Sequence, residues 1–263
     1  MPSPFATKLA ISASFIGVFV TSSFADVVLF QRGLPVQNLN NAAGLNRSNV
    51  GPLNGDFGPG FGGPYILGDD FSLPTSSVIH NLSVWVIGNA LNSAPVAPTT
   101  EFTSITLYGG NDQTALTALS SAYTATRVQY TGGLDFQSTT NGFFYPIYQI
   151  TFSGLTWNVF GNTLYNFAIG AVPVGNNTLA LHASNAALSG GTQNGADNSF
   201  LFFLNNPPIA TFASNASSVT NFPTGADANV LITGAVVVTP EPSTLGLLAL
   251  GASAILLRRL KRS

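Results

Sequence analysis

Residues 78–88 read Val-Ile-His-Asn-Leu-Ser-Val-Trp-Val-Ile-Gly, and this stretch decides the fold class. Its side chains alternate with a period of two, and β-branched residues are frequent. A period of two places neighbouring side chains on opposite faces, which is typical of a β-strand. One face carries His80, Leu82, Val84 and Val86, and the other carries Asn81, Ser83 and Trp85. The stretch therefore predicts a strand.

Further strand candidates lie on both sides of this stretch, separated by clusters of Gly, Asn and Pro. They are residues 27–31, 104–108, 123–130, 145–152, 164–172, 178–183, 200–204 and 229–238. Residues 38–64 predict a long irregular loop, and residues 114–121 are the one stretch that could form a short helix. Strands with turns between them and no intervening helices predict an all-β fold, an antiparallel, jelly-roll-like β-sandwich. No internal repeat indicates a propeller or a solenoid.

The composition of residues 26–239 describes an acidic body without cysteine. Three arginines (Arg32, Arg47 and Arg127) stand against nine acidic residues, so the net charge is −6 with histidine neutral. Because no basic patch can neutralise phosphates, nucleic acid is a poor partner. The lack of Cys excludes disulfides, thiol catalysis and zinc–thiolate sites. Abundant Phe, Tyr, Val, Ile and Leu indicate a folded domain and not a disordered chain.

The first 25 residues have the three parts of a secretory signal peptide. Lys8 supplies the positive charge, residues 9–20 form the apolar segment, and Ser23-Phe24-Ala25 is a small-x-small cleavage site. Cleavage there would make Asp26 the first residue of the mature chain. We therefore expect a signal peptide at 1–25, a β-sandwich domain at 26–239 and a separate tail at 240–263.

The tail combines three features in a fixed order. Its residues are Pro240, Glu241 and Pro242, then the uncharged run 245–257, then Arg258, Arg259, Lys261 and Arg262. As a helix, the 13 residues of the run are roughly 20 Å long, against about 30 Å of membrane hydrocarbon. The basic side chains favour the cytoplasmic side and act as a membrane stop. The run therefore predicts a transient transmembrane helix, and a short permanent anchor is the alternative.

This order of Pro-Glu-Pro, apolar run and basic end resembles the PEP-CTERM sorting signal of Gram-negative bacteria. The resemblance implies removal of the tail by an exosortase-type membrane protease, after a transient stay in the inner membrane. It further implies that the protein is exported to the cell surface or extracellular matrix. Extracellular polysaccharide is the partner that this location implies.

The body is loosely similar to the choice-of-anchor domains that often precede such tails. The matching positions are Asp69-Asp70-Phe71, Trp85, residues 165–168 and residues 234–236. This second resemblance implies a β-sandwich and no particular activity.

Few residues of the body suit catalysis. His80 and His182 both lie in strand patterns, and the chain has neither a Gly-x-Ser-x-Gly nor a His-Glu-x-x-His motif. Glu101 is the one glutamate of the body, whereas glycoside hydrolysis needs a pair of carboxylates. We expect a protein that is not an enzyme, and a secreted hydrolase acting on polysaccharide stays open as an alternative.

Two kinds of binding site are compatible with the sequence. Asp69, Asp70 and Asp227 are candidate ligands of a structural calcium ion, because Ca²⁺ prefers oxygen ligands. Trp85, Trp157 and Tyr145 are candidates for stacking on a glycan, because an aromatic ring can cover a sugar face. The sequence thus leaves a structural or adhesive surface protein and a carbohydrate-binding module as hypotheses.

Overall fold

Every regular element in the described part of the chain is a β-strand, and the strands pair antiparallel. The computed structural model describes residues 25–32, 48–52, 65–87, 102–128, 136–137, 144–145, 147–173, 180–184, 201–206, 209–215 and 227–237. The predicted signal peptide, apart from Ala25, and the predicted tail helix lie outside these residues.

One sheet contains nine strands assembled around a central strand, β4. Its strands are β1 (Val27–Arg32), β2 (Ser48–Pro52), β4 (Ser77–Ile87), β7 (Tyr123–Arg127), β10 (Ile147–Phe152), β11 (Trp157–Val159), β13 (Ala180–Ser184), β16 (Asp227–Ala228) and β17 (Val230–Val236). The main path runs β1–β17–β4–β10–β7, while β11 and β13 also pair with β4, and β2 and β16 pair with β13. We call this the open sheet.

The second sheet is a closed ring of six strands. They are β3 (Tyr65–Ser72), β5 (Phe102–Gly110), β6 (Leu116–Ser120), β12 (Leu164–Pro173), β14 (Leu201–Asn206) and β15 (Ile209–Asn215). Neighbours follow the order β12–β3–β14–β15–β6–β5, and β5 closes the ring on β12. Two short strands, β8 (Phe136–Gln137) and β9 (Phe144–Tyr145), pair with each other.

The main hydrophobic core contains side chains from both sheets. Leu82, Val84 and Val86 of β4 are fully buried and belong to the same cluster as Phe71 and Phe167 of the ring. Burial of one such side chain stabilises the fold by about 1.5–3 kcal/mol. The face that period two predicts for β4 is confirmed at these three positions. Two antiparallel sheets around a shared core confirm the prediction of a sandwich-like all-β fold.

A second, smaller core fills the ring and takes residues from all six of its strands. Side chains of β3 and β12 alternate between the cores: Phe71 and Phe167 face the main core, whereas Ile66 and Ala168 face the ring interior. Gly68 is required in this arrangement, because a Cβ at that position would lie 1.8 Å from the carbonyl oxygen of Phe167. Strand β3 is therefore buried on both faces.

Two predictions of local structure are wrong. Residues 114–121 do not form a helix, because Leu116–Ser120 is strand β6 and pairs with β5. The turn between the strands is fixed by Asp112, whose Oδ1 accepts the Thr114 N–H at 2.9 Å and whose carbonyl accepts the Ala115 N–H at 3.1 Å. Residues 38–64 are not a continuous loop, because they contain strand β2, which pairs with β13.

Candidate functional site

Five polar side chains lie buried in the described core at the meeting point of four strands. Each has at most 1% of its surface exposed, and they are Arg32, Asp69, His182, Asp227 and Asn229. Arg32 ends β1, Asp69 lies in β3, His182 in β13 and Asp227 in β16. Buried charges are costly unless they are paired and hydrogen-bonded. We call this group the Arg32 cluster.

Arg32 connects the two carboxylates of the cluster. Its Nη1 lies 3.1 Å from Asp69 Oδ2 and 3.4 Å from Asp227 Oδ1. Its Nη2 donates to the backbone carbonyl of Asp70 at 2.5 Å. Charge-assisted hydrogen bonds of this kind are stronger than neutral ones. The guanidinium therefore ties the N-terminal strand of the open sheet to the ring.

The Asp69 carboxylate also accepts two backbone N–H groups. Oδ1 accepts from Asp70 at 2.8 Å, and Oδ2 accepts from Ala228 at 2.6 Å. Burial raises the pKa of Asp69 well above the usual value for aspartic acid, and Arg32 opposes that shift. The negative charge of Asp227, which contacts the same guanidinium, repels that of Asp69 and raises the pKa of Asp69 further.

His182 is held as a neutral hydrogen-bond donor. Its Nδ1 lies 2.7 Å from Asn229 Oδ1, while Asn229 Nδ2 donates to the Arg32 carbonyl at 3.2 Å. Because the amide nitrogen already donates, its oxygen accepts, and Nδ1 of His182 therefore carries the proton. Burial lowers the pKa of His182 to about 4. The imidazole is thus uncharged at neutral pH and serves as a core residue.

The structure brings together two of the three predicted calcium ligands, Asp69 and Asp227. Arg32 Nη1 lies within 3.4 Å of both carboxylates, so a cation is already present there. Asp70 contributes its carbonyl to the same guanidinium. Within the described ranges, no group of three or more His, Asp or Glu side chains is arranged to hold a metal ion. Calcium binding stays a prediction that this geometry does not support.

The other histidine, His80, contacts the start of the body. Its Nδ1 lies 2.6 Å from Asp26 Oδ1, and Asn81 Nδ2 donates to Asp26 Oδ2 at 2.9 Å. Both partners of the histidine pair are about one third exposed (36% and 35%). The residue predicted to begin the mature chain is thus held on β4 by its carboxylate.

The three candidates for glycan stacking have different surroundings. Trp85 is only 8% exposed, so it offers little ring surface and is not supported as a stacking residue. Tyr145 lies in β9, and its side chain is outside the described part. Trp157 is half-buried and lines an open groove of about 400 Å³ with Leu119, Ser120 and residues 154–158. We call this the Trp157 groove.

Sequence reasoning found His182, Asp69 and Asp227 but missed Arg32 as their partner. A signal for it exists, because Phe30 and Arg32 share one face of β1 by alternation. Arginine is almost never fully buried unless it is paired. An arginine on the same strand face as a buried Phe therefore indicates a carboxylate partner in the core.

Comparison with known proteins identifies the tail. The family model of the PEP-CTERM protein-sorting motif matches residues 238–262. The chain carries a PEP-CTERM sorting motif. The match includes the predicted sorting residues Pro240, Glu241 and Pro242 and the predicted membrane-stop residues Arg258, Arg259, Lys261 and Arg262. Neither the curated proteins nor the solved structures gave a match.

The PEP-CTERM motif indicates exosortase-dependent export to the cell surface. Its residues lie outside the part of the chain that the structure describes, as does any helix in the tail. Among the residues described, no helix has the length and apolar character needed to cross a membrane. The resemblance of the body to choice-of-anchor domains stays a prediction.

The PEP-CTERM motif begins directly after a well-anchored strand end. The last described residue, Val237, donates its N–H to the Ser76 carbonyl at 2.8 Å. Strand β17 pairs antiparallel with β1, and Val27 is opposite Gly234. The start of the body and Val237, the last described residue before the motif, therefore lie at the same end of the open sheet.

Proposed function

We propose that the protein is a cell-surface or matrix-associated component whose β-sandwich body has a structural or adhesive role, without catalytic turnover. The observation that carries the proposal is the PEP-CTERM match at residues 238–262. An exosortase-type protease would act beside the membrane and release the body from its tail. The exported part is then the sandwich described above.

The buried charged groups of the body and the lining of its groove support a structural role. Its buried ionic groups bind one another and the backbone, as Arg32 and Asp69 do. His182 is neutral and inside the core. A hydrolase would need two carboxylates flanking one cleft, and none of the described residues that line the Trp157 groove is acidic.

The position of the two ends supports a defined orientation during sorting. Four exposed valines lie where β1 begins and β17 ends: Val27, Val28, Val236 and Val237. The motif follows Val237 directly. Before the tail is removed, this valine end faces the membrane, and the opposite end of the open sheet faces away from it.

Intact mass of the natively exported protein tests the sorting step. The surface form should begin near Asp26 and lack Arg258, Arg259, Lys261 and Arg262. Glu241→Gln should accumulate with its tail, whereas the matched change Glu101→Gln in the body should be processed normally. A wild-type surface form that still contains Arg262 would refute processing.

Thiol labelling tests the orientation, because the chain has no cysteine of its own. Val28→Cys lies at the valine end, and Thr126→Cys is an exposed control toward the other end of the open sheet. In precursor that retains its tail, a membrane-impermeant reagent should label Thr126→Cys faster than Val28→Cys. After processing, the two rates should become similar. Equal rates in the precursor would contradict the orientation.

Attachment of cells to a surface tests the adhesive role. Cells without the protein should attach less than wild-type cells, and cells producing only Glu241→Gln should attach equally poorly. Cells producing Glu101→Gln should behave as wild type. Undiminished attachment in cells that lack the protein would rule out an adhesive role.

A further inference from the structure

The Trp157 groove has the size of a small-molecule site. It lies between the end of β6, at Leu119 and Ser120, and residues 154–158, which include the turn from β10 into β11. Its volume of about 400 Å³ falls within the range of about 300–1,000 Å³ that is usual for ligand pockets. Gly154 sits at its rim with φ of 70°, and a Cβ there would meet no atom within 4 Å. The groove is therefore open on this side.

Two aromatic side chains of the main core hold the indole of Trp157 in place. Its ring meets Phe71 edge-on, at 5.5 Å between centroids and 88° between planes. It meets Tyr165 in the same way, at 5.8 Å and 84°. Because the side chain is only half-buried, part of the ring remains at the groove. A ring that is already immobilised loses little conformational entropy when a ligand packs on it.

The rest of the lining is uncharged and combines apolar residues, such as Leu119 and Leu155, with polar ones. Ser120, Thr156 and Asn158 carry hydroxyl and amide groups, and none of the described residues that line the groove has an acidic or basic side chain. Thr156 and Asn158 are exposed. The contact from Asn158 Nδ2 to the Thr156 carbonyl is long, at 3.5 Å, so the amide can turn toward a ligand at small cost.

We propose that the Trp157 groove binds a neutral sugar unit of a glycan. An anionic ligand would need a cation in the lining, and a metal ion would need carboxylates. Neither is present among the lining residues that the structure describes. A sugar has both an apolar ring face, which packs on an aromatic ring, and hydroxyl groups, which bond to polar groups at the rim of the groove, where the exposed Thr156 and Asn158 precede and follow Trp157 in the chain. The proposal is independent of the route of export, so it can fail while the proposed function holds.

Tryptophan fluorescence gives a specific measurement, because the chain contains only two tryptophans. In mature exported protein with Trp85→Phe, all tryptophan emission comes from Trp157. Titration with an array of neutral oligosaccharides should change this emission saturably for at least one of them. The matched variant Trp157→Phe, which retains Trp85, should show no change with the same oligosaccharide.

Substitutions of exposed residues test the position of the site and should leave the fold intact. Thr156→Ala and Asn158→Ala should each weaken binding about 2- to 10-fold, the loss expected for one hydrogen bond. Thr126→Ala, an exposed threonine of β7 outside the groove, should bind as wild type. Thermal unfolding confirms that each variant is folded.

Three results would overturn the proposal. The first is that no neutral oligosaccharide alters Trp157 emission. The second is a glycan whose affinity is unchanged in both Thr156→Ala and Asn158→Ala. The third is saturable binding of a peptide, and of no glycan, in the same titrations.

Discussion

Lowering the pH from 7 to 5 should destabilise the folded protein through His182. Its pKa is about 4 in the folded protein, against an ordinary value of 6.5. Between these values the unfolded chain binds more protons than the folded protein, so stability falls as the pH falls. Applying this linkage to the two pKa values gives a loss of about 2 kcal/mol at pH 5 relative to pH 7.

The physical reason is the cost of a buried charge. Protonation would place a second cation in the core near Arg32, whose carbonyl accepts from the same Asn229 that holds the imidazole. Asp69 acts in the opposite sense, because its pKa is raised and its contribution to stability is lost as the pH increases above the usual aspartate value. The dependence of wild-type stability on pH therefore contains both effects.

Comparison of wild type with His182→Gln isolates the histidine. Glutamine can still donate an N–H toward Asn229 but cannot titrate. Urea unfolding at pH 7 and pH 5 should show about 2 kcal/mol more loss in the wild type than in this variant. His80→Gln, which alters the exposed histidine, should keep the full His182 effect. An equal loss in wild type and His182→Gln would refute the buried, neutral assignment.

Three further outcomes are expected from urea unfolding at neutral pH. Gly68→Ala should lose at least about 3 kcal/mol or fail to fold, because its Cβ would collide with the Phe167 carbonyl; Gly110→Ala, whose Cβ would find its nearest atom at 3.5 Å, should stay within about 1 kcal/mol of wild type. Arg32→Met should cost about 3–5 kcal/mol, because it leaves two buried carboxylates without their cation; Arg127→Met, at the exposed end of β7, should change stability by less than about 0.5 kcal/mol, and similar values for both arginine variants would refute the role of Arg32. Phe167→Ala should cost about 3–5 kcal/mol by opening a cavity in the main core, and a loss below about 1 kcal/mol would contradict its complete burial.

Strands rich in β-branched and apolar residues, and bounded by turn residues, were predictable from the sequence. The predicted strand at residues 78–88 covers nearly all of β4, and the predicted strands at 104–108 and 164–172 lie inside β5 and β12. The signal is local in these cases, because a run of β-branched and apolar residues between turn clusters indicates a strand within a few neighbouring residues. The match at residues 238–262 likewise depends on sequence order alone.

Strand β3 shows why other elements were not predictable. Its centre, Gly68-Asp69-Asp70, has the composition of a turn. It forms a strand because Gly68 allows the backbone of β12 to approach closely. In addition, Asp69 is paired with Arg32, which lies 37 residues earlier in the chain. Strand β6 is similar, since its pairing with β5 and β15 overrides a weak helical pattern.

The sequence by itself determined the all-β class, the position of β4 and the sorting motif, because each depends on neighbouring residues. Tertiary structure alone decided which polar residues meet. Arg32, Asp69, His182, Asp227 and Asn229 come from four strands and one connecting residue, and only their burial in one core makes the mutual pairing obligatory. It also decided that Trp85 is buried while Trp157 borders an open groove, because exposure depends on which residues from elsewhere in the chain pack against each ring.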